Sequence, residues 1–257
     1  MKWIRYRHQG QSCIGQLQGD LVQPCTGELF GGTPPQPAGA ALPLAGLTLL
    51  PPCSPRQIVG LWNNFRAAAQ KNGWAEPTHP LYFLKSPGAL CGSGDAIAPP
   101  RGHDGRVAYE GELVIVIGRR THAIDAADAA AHIFGYSCGN DVTAIELLNS
   151  DPSFPQWTRA KSFPGFAAFG PVIETDFDPS AAEVVTRVGG RERQRYALSD
   201  MIFAPHALVA RLSQDLVLEP GDLVYCGTSL GVLPMKPGTR VEVEISGIGT
   251  LVNDYGA

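Results

Sequence analysis

The sequence predicts a β-rich α+β protein with a small N-terminal β domain, and three observations point there. Glycine (30) and proline (22) make up a fifth of the 257 residues, so turns are frequent and long helices have little room. Short apolar runs set off by turn residues outnumber segments with helical spacing. Strand and helix patterns do not alternate regularly, which excludes a parallel βα repeat.

Residues 3–23 carry short apolar pieces broken by Gly10, Gly15 and Gly19-Asp20, the pattern of a small antiparallel meander. The Gly/Pro/Ala stretch from Gly31 to Gly46 reads as a linker. It divides the chain into an N-terminal β domain with linker, 1–50, and a main body, 54–257. In the main body IVGLW (58–62) is a buried strand, NNFRAAAQKNG (63–73) a short helix closed by Gly73, and LYFLK (81–85) a second strand. EGELVIVIG (110–118) starts polar and then runs apolar without alternation, as a strand buried on both faces does. AIDAADAAAHIFGY (123–136) is Ala-rich with helical spacing up to Gly135, and 199–213 predicts a helix with Ser199 as N-cap. Turns at PGD (220–222) and KPGT (236–239) bracket the β-rich end. There Val241, Val243 and Ile245 alternate with Glu242, Glu244 and Ser246, which marks a half-buried strand.

A chain of this length buries about 70% of its unfolded surface, enough for a core without staples. Twenty basic against 24 acidic residues and no basic run argue against a nucleic-acid partner. The longest apolar run, Leu113 to Ile117, is too short to cross a bilayer. The opening MKWIRYRHQG has no apolar stretch of the secretory kind, and the six cysteines are scattered without metal-type spacing. They read as reduced thiols of a cytoplasmic protein.

Chemistry concentrates in Tyr109-Glu110-Gly111-Glu112-Leu113. Residues two apart on a strand share a face, so Glu110 and Glu112 point together, just ahead of a run that must be buried. Adjacent carboxylates at a core's rim repel unless a cation or proton sits between them. All-oxygen ligation suits Mg²⁺, Mn²⁺ or Ca²⁺, and the alternative is a solvated strand end. Asp141, in a loop expected after the Ala-rich helix, is a third candidate or an Asx turn. Lys161, a single basic residue among apolar neighbours, is by default a surface lysine.

The order YEGEL (109–113), GYSCGNDV (135–142), QWTRAKSF (156–163), FGPVI (169–173), LEPGDLVYCGTSLGV (218–232) and ISGIGTLVND (245–254), preceded by GLWNNF and PLYFLKSP, resembles the fumarylacetoacetate hydrolase family. The resemblance covers residues 54–255. It implies a mixed β-roll of curved sheets with a few short helices, a homodimer, and a divalent metal, Mg²⁺ or Mn²⁺. The implied substrates are small 2-oxo or dicarbonyl acids that are hydrolysed at a C–C bond, decarboxylated, isomerised or hydrated. By position, Glu110, Glu112 and Asp141 match the family's metal ligands. Lys161 matches the lysine beside the metal, and Thr228 a residue that binds the substrate carboxylate or its water.

Three features depart from the family pattern, the first of them a pair of residues. Arg66 stands where family hydrolases carry the histidine of a His–Glu pair, and Ala69 where they carry its glutamate. An arginine stays protonated and is a poor base. Ile145 stands at the place of a frequent arginine, and the stretch after Lys161 lacks a frequent aspartate. Arg66 is then either a replacement clamp for the substrate carboxylate or a solvated residue. His79 is a substitute base or a loop histidine without a role. The intact enolate-stabilising half favours isomerisation or decarboxylation of a 2-oxo, 2-hydroxydienoate or acylpyruvate-type acid. C–C hydrolysis, or a non-catalytic ligand-binding descendant, is the alternative.

Overall fold

The computed structural model describes residues 1–256, with strands gathered into a thirteen-stranded, a five-stranded and a three-stranded sheet. Ten strands of the large sheet run in spatial order Gln36–Pro37, Leu21–Thr26, Gln11–Gln18, Lys2–His8, Ala167–Glu174, Ile133–Asp141, Gly111–Ile117, Leu223–Tyr225, Ile58–Trp62, Leu81–Lys85, and Leu42–Pro43, Thr48–Leu50 and Leu90–Cys91 pair off this path. Most neighbours are antiparallel, while Leu223–Tyr225 runs parallel to Ile58–Trp62, so the sheet is mixed. The predicted meander is present, and Lys2–His8 continues it into the main sheet by pairing with Ala167–Glu174. Trp3, Ile4, Tyr6 and Val22 consequently share the hydrophobic core of the main body.

The five-stranded sheet, Ala96–Ile97, Gly249–Tyr255, Thr239–Ile245, Glu183–Val188 and Arg191–Ala197, packs on the first. Glu183–Val188 lies against Gly111–Ile117, and Gly249–Tyr255 against Ala167–Glu174. All seven residues of Gly111–Ile117 are buried, as the unbroken LVIVI run requires. Gly111 marks the tightest approach, since a Cβ there would lie 2.0 Å from Thr186 Oγ1. Odd-numbered residues of this strand therefore face the second sheet, and Glu112, Val114 and Val116 face away from it.

The helix Arg66–Asn72 ends as predicted at Gly73, whose φ of +70° is the left-handed cap conformation. Two other helices differ from expectation. Residues 123–136 form no long helix: a 3₁₀ turn at Ala129–His132 leads into the strand Ile133–Asp141, which passes through Gly135. Ile133–Asp141 pairs on one side with Gly111–Ile117 and on the other with Ala167–Glu174, and these ladders override the helical pattern there. The later helix spans Pro205–Asp215 rather than 199–213, and Ser199 lies in a 3₁₀ turn. Pro205 suits a first helical position because its missing N–H would be unpaired anyway. No described helix is long and apolar enough to cross a membrane.

The cysteines give a pH prediction. Burial pushes the thiols of Cys53, Cys91 and Cys138 up to about 12 from the ordinary 9.0. A thiol that ionises later in the folded than in the unfolded chain favours folding below its unfolded value. That contribution is lost as pH climbs from 9.0 towards about 12. Stability is thus expected to fall steadily over this window in denaturant titrations. Iodoacetamide at pH 8 should label the half-buried Cys13 and Cys25 well before the four buried thiols, as read by intact mass. Prompt labelling of a buried cysteine in folded protein would contradict this.

Candidate active site

Strand register assembles the acidic cluster. Glu110 and Glu112 flank Gly111 at the head of Gly111–Ile117, and Asp141 is the last residue of the adjacent strand. Gly111 pairs with Asn140, the Asp141 N–H donates to Glu110 O at 2.9 Å, and the Glu110 N–H donates to Asn140 Oδ1 at 2.9 Å. One carboxylate oxygen from each of Glu110, Glu112 and Asp141 falls within 4.8 Å of the others. Asp141 thus closes a strand instead of following a helix.

Two lysines answer this charge. Lys161 ends the short helix Trp157–Lys161 and is buried, not on the surface. Its Nζ donates to Asp141 Oδ2 at 2.6 Å and to Glu110 Oε2 at 2.9 Å, 5.0 Å from the centre of the Phe83 ring. Lys85, at the end of Leu81–Lys85, has a fully buried side chain that donates to the other Asp141 oxygen. Burial works against the Lys161 ammonium, but Asp141 and Glu110 outweigh it and hold the group above its ordinary value. Burial also opposes ionisation of Asp141, and the two lysines overcome it, holding Asp141 below the usual carboxylate range. Burial pulls the Lys85 ammonium down, with Asp141 opposing.

Glu112 is the member left over. Burial, then the charges of Asp141 and Glu110, raise it well above the ordinary carboxylate range. Its Oε2 accepts from the Gly227 N–H at 2.7 Å, and its Oε1 is buried with no partner. Three carboxylates against two ammonium groups leave one formal negative charge uncompensated. An all-oxygen donor set with an orphaned buried oxygen and surplus negative charge fits a hard divalent cation.

Thr228 is tied to the same strand: its Oγ1 donates to Gly111 O at 3.0 Å and accepts from Gln194 Nε2 at 2.9 Å. Gln194 Oε1 in turn accepts from the Gly111 N–H at 3.0 Å. A cavity of about 340 Å³ opens beside the cluster, lined by Glu110 and Thr228 together with Trp62 and Trp74. The remaining cluster members are buried.

The structure places Arg66 elsewhere. Its guanidinium donates to Met201 O and to Asp200 O, the latter at 3.4 Å, and lies 3.8 Å from Glu76. The Ala67 N–H is held by Asp200 Oδ2 at 3.0 Å, which fixes the helix start in that direction. His79 lines an adjoining cavity that shares Trp62, Asn63 and Trp74 with the first, and Ile145 begins a short helix. Lys85 and Gln194 escaped the sequence reading. Along LYFLK the burial pattern is Phe83 and Lys85 in, Tyr82 and Leu84 out, the inverse of what hydropathy suggests for Lys85. The two-residue spacing of Phe83 and Lys85 on one strand was the available signal.

A family model described as fumarylacetoacetate (FAA) hydrolase C-terminal matches residues 57–255, and one described as Rv2993c-like, N-terminal, matches residues 1–52. The crystal structure of 5-carboxymethyl-2-hydroxymuconate delta-isomerase from Mycobacterium smegmatis superposes with a TM-score of 0.90, at 35% identity over 99% of both chains. Oxaloacetate tautomerase YisK of Bacillus subtilis is 35% identical over 213 residues, 78% of this chain and 70% of that one. Maleylpyruvate hydrolase from Sphingobium sp. SYK-6, solved with manganese(II) and pyruvate, shares the fold, with a TM-score of 0.80 and 23% identity over 99% of this chain and 98% of that one.

Proposed function

Since this chain belongs to the fumarylacetoacetate hydrolase family, with isomerase and tautomerase relatives, we propose that it is a metal-dependent enzyme catalysing keto–enol isomerisation of a small 2-oxo acid. One observation carries the choice of reaction. Among the residues lining the cavity there is no histidine, and the one carboxylate, Glu110, already belongs to the acidic cluster. The helix Arg66–Asn72 presents Ala68, Lys71 and Asn72 to the cavity, none of them a carboxylate or imidazole to activate a water for C–C hydrolysis, and His79 lines only the adjoining cavity. Enolisation needs chiefly a polarised carbonyl and stabilisation of the charge that develops on its oxygen.

Glu110, Glu112 and Asp141 would hold Mg²⁺ or Mn²⁺, which supplies Lewis-acid polarisation of the 2-oxo oxygen. Lys161 adds a fixed positive charge on the same side, and burial makes that charge effective because little water screens it. Thr228 Oγ1 spends its proton on Gly111 O and accepts from Gln194, so it has one lone pair left to accept from a water that bridges to the substrate carboxylate. Trp62 and Trp74 supply apolar walls against solvent.

Proton NMR of oxaloacetate in D₂O with Mg²⁺ tests this. Deuterium should enter the C3 methylene faster with protein than without, and Glu110→Gln should remove the acceleration. Oxalate and acetate would instead mark a C–C hydrolase, and pyruvate above the spontaneous rate a decarboxylase. A null result with both oxaloacetate and acetylpyruvate would show a non-catalytic descendant and overturn the proposal.

A further inference from the structure

One buried side chain ties the acidic strand to the wall of the cavity. Gln194 lies on the strand Arg191–Ala197 of the five-stranded sheet and is 1% exposed. Alternation sends Gln194 and Tyr196 to the same face, and both reach Gly111. The Gly111 N–H donates to Gln194 Oε1 at 3.0 Å, and the Tyr196 hydroxyl donates to Gly111 O. On its other side Gln194 Nε2 donates to Thr228 Oγ1 at 2.9 Å and to the carbonyls of Leu230 at 3.3 Å and Ser229 at 3.5 Å. Thr228, Ser229 and Leu230 line the cavity, so Gln194 supports its wall from behind.

These partners leave the Gln194 amide one orientation. A backbone N–H can only donate and a carbonyl can only accept, so the amide oxygen points to Gly111 and the NH₂ to the segment 228–230. One N–H is spent on Thr228, and the other is shared between the two carbonyls. Thr228 Oγ1 receives that proton, so its own goes to Gly111 O at 3.0 Å. The hydroxyl then has only a lone pair to spare. It can receive a proton from a water or an enol, and it has none to give a carboxylate.

We propose that Gln194 is a positioning residue that sets affinity for the 2-oxo acid through Thr228. It fixes the Thr228 hydroxyl as an acceptor and holds the segment 228–230 at a set distance from the strand that carries Glu112. This rests on the functional reading above, in which Thr228 meets the substrate through a water. Gln194 touches neither substrate nor metal. Its loss frees the Thr228 hydroxyl to turn and the cavity wall to shift, while Glu110, Glu112 and Asp141 keep their own hydrogen bonds. The effect therefore falls on substrate binding, and not on the metal or the chemical step.

Exchange kinetics of oxaloacetate in D₂O at saturating Mg²⁺ compare Gln194→Met, Thr228→Val and the double variant. Gln194→Met should raise KM about tenfold, the worth of one good hydrogen bond, with kcat within about threefold of wild type and the Mg²⁺ midpoint unchanged. Because Gln194 acts through Thr228, the double variant should show the KM of Thr228→Val alone, a departure from additivity that a merely structural role would not produce. Gln194→Asn, too short to reach both Gly111 and Thr228, should raise KM in the same way with an amide still in place. An unchanged KM, a loss confined to kcat, or KM effects that multiply in the double variant overturn the proposal while leaving the functional reading in place. Loss of the fold in both Gln194 variants does the same, since it makes the residue structural. A wild type that catalyses no exchange overturns both.

Discussion

Lys161→Met is expected to lower catalysed enolisation about 10²–10³-fold, the usual cost of removing one preorganised charge from a buried site, with KM moving less than about threefold. Methionine keeps the length and the packing over Phe83, so the loss isolates the charge. The ammonium is held between Glu110 and Asp141 at 2.9 and 2.6 Å, and these partners keep it protonated against its burial. A role confined to neutralising the carboxylates predicts a different pattern. Removing a cation from the cluster leaves more negative charge for a divalent ion, so in that case Mg²⁺ affinity should rise while the rate at saturating Mg²⁺ stays within about threefold of wild type. Exchange rates from NMR alongside an Mg²⁺ titration separate the two. A rate within about threefold of wild type would remove Lys161 from the chemistry.

The parts of this site that the sequence disclosed depend on period-two logic. Glu110 and Glu112 share a face because a strand alternates, and LVIVI announces a strand covered on both sides; neither inference needs the partner strand. Asp141 is a third candidate from its residue type and becomes a ligand by resemblance, but it closes a strand and not a loop after a helix, because residues 123–136 have alanine-rich helical spacing and only the ladder with Gly111–Ile117 and Ala167–Glu174 makes Ile133–Asp141 a strand. Lys161 has the local sequence of a surface residue. Its burial is a tertiary fact, created when the short helix Trp157–Lys161 closes over Asp141. Arg66 matched a family position, but a motif match fixes the backbone and not the direction of a long side chain. The carbonyls of Asp200 and Met201, remote in sequence, accept from the guanidinium and set that direction. Local patterning thus reports the strands and their faces, whereas charge compensation is set by contacts between segments far apart in the chain.

The same compensation makes Lys85 the position where the site and the fold are most strongly coupled. Lys85→Met is expected to destabilise the protein by about 3 kcal/mol, the lower end for breaking a buried pair, since Asp141 keeps Lys161. For a chain of this size that is about 6–12 °C in Tm. The cause is specific: Lys85 and Asp141 are both 0% exposed at the side chain, so the carboxylate loses a partner that water cannot replace. Lys85 also carries the end strand Leu81–Lys85, paired only to Ile58–Trp62 in the large sheet's spatial order. The interaction is measured by a double-mutant cycle with Asp141→Asn in urea. The double variant should be more stable than the sum of the singles predicts by more than about 0.5 kcal/mol, beyond the scatter of independent sites. The cost of Lys85→Met should also be smaller in Mg²⁺ than in a chelator, because a divalent cation at Asp141 supplies the positive charge that the lysine no longer does. Additive singles would show that the contact contributes no net coupling. A cost unchanged by Mg²⁺ would show that Asp141 does not face the cation.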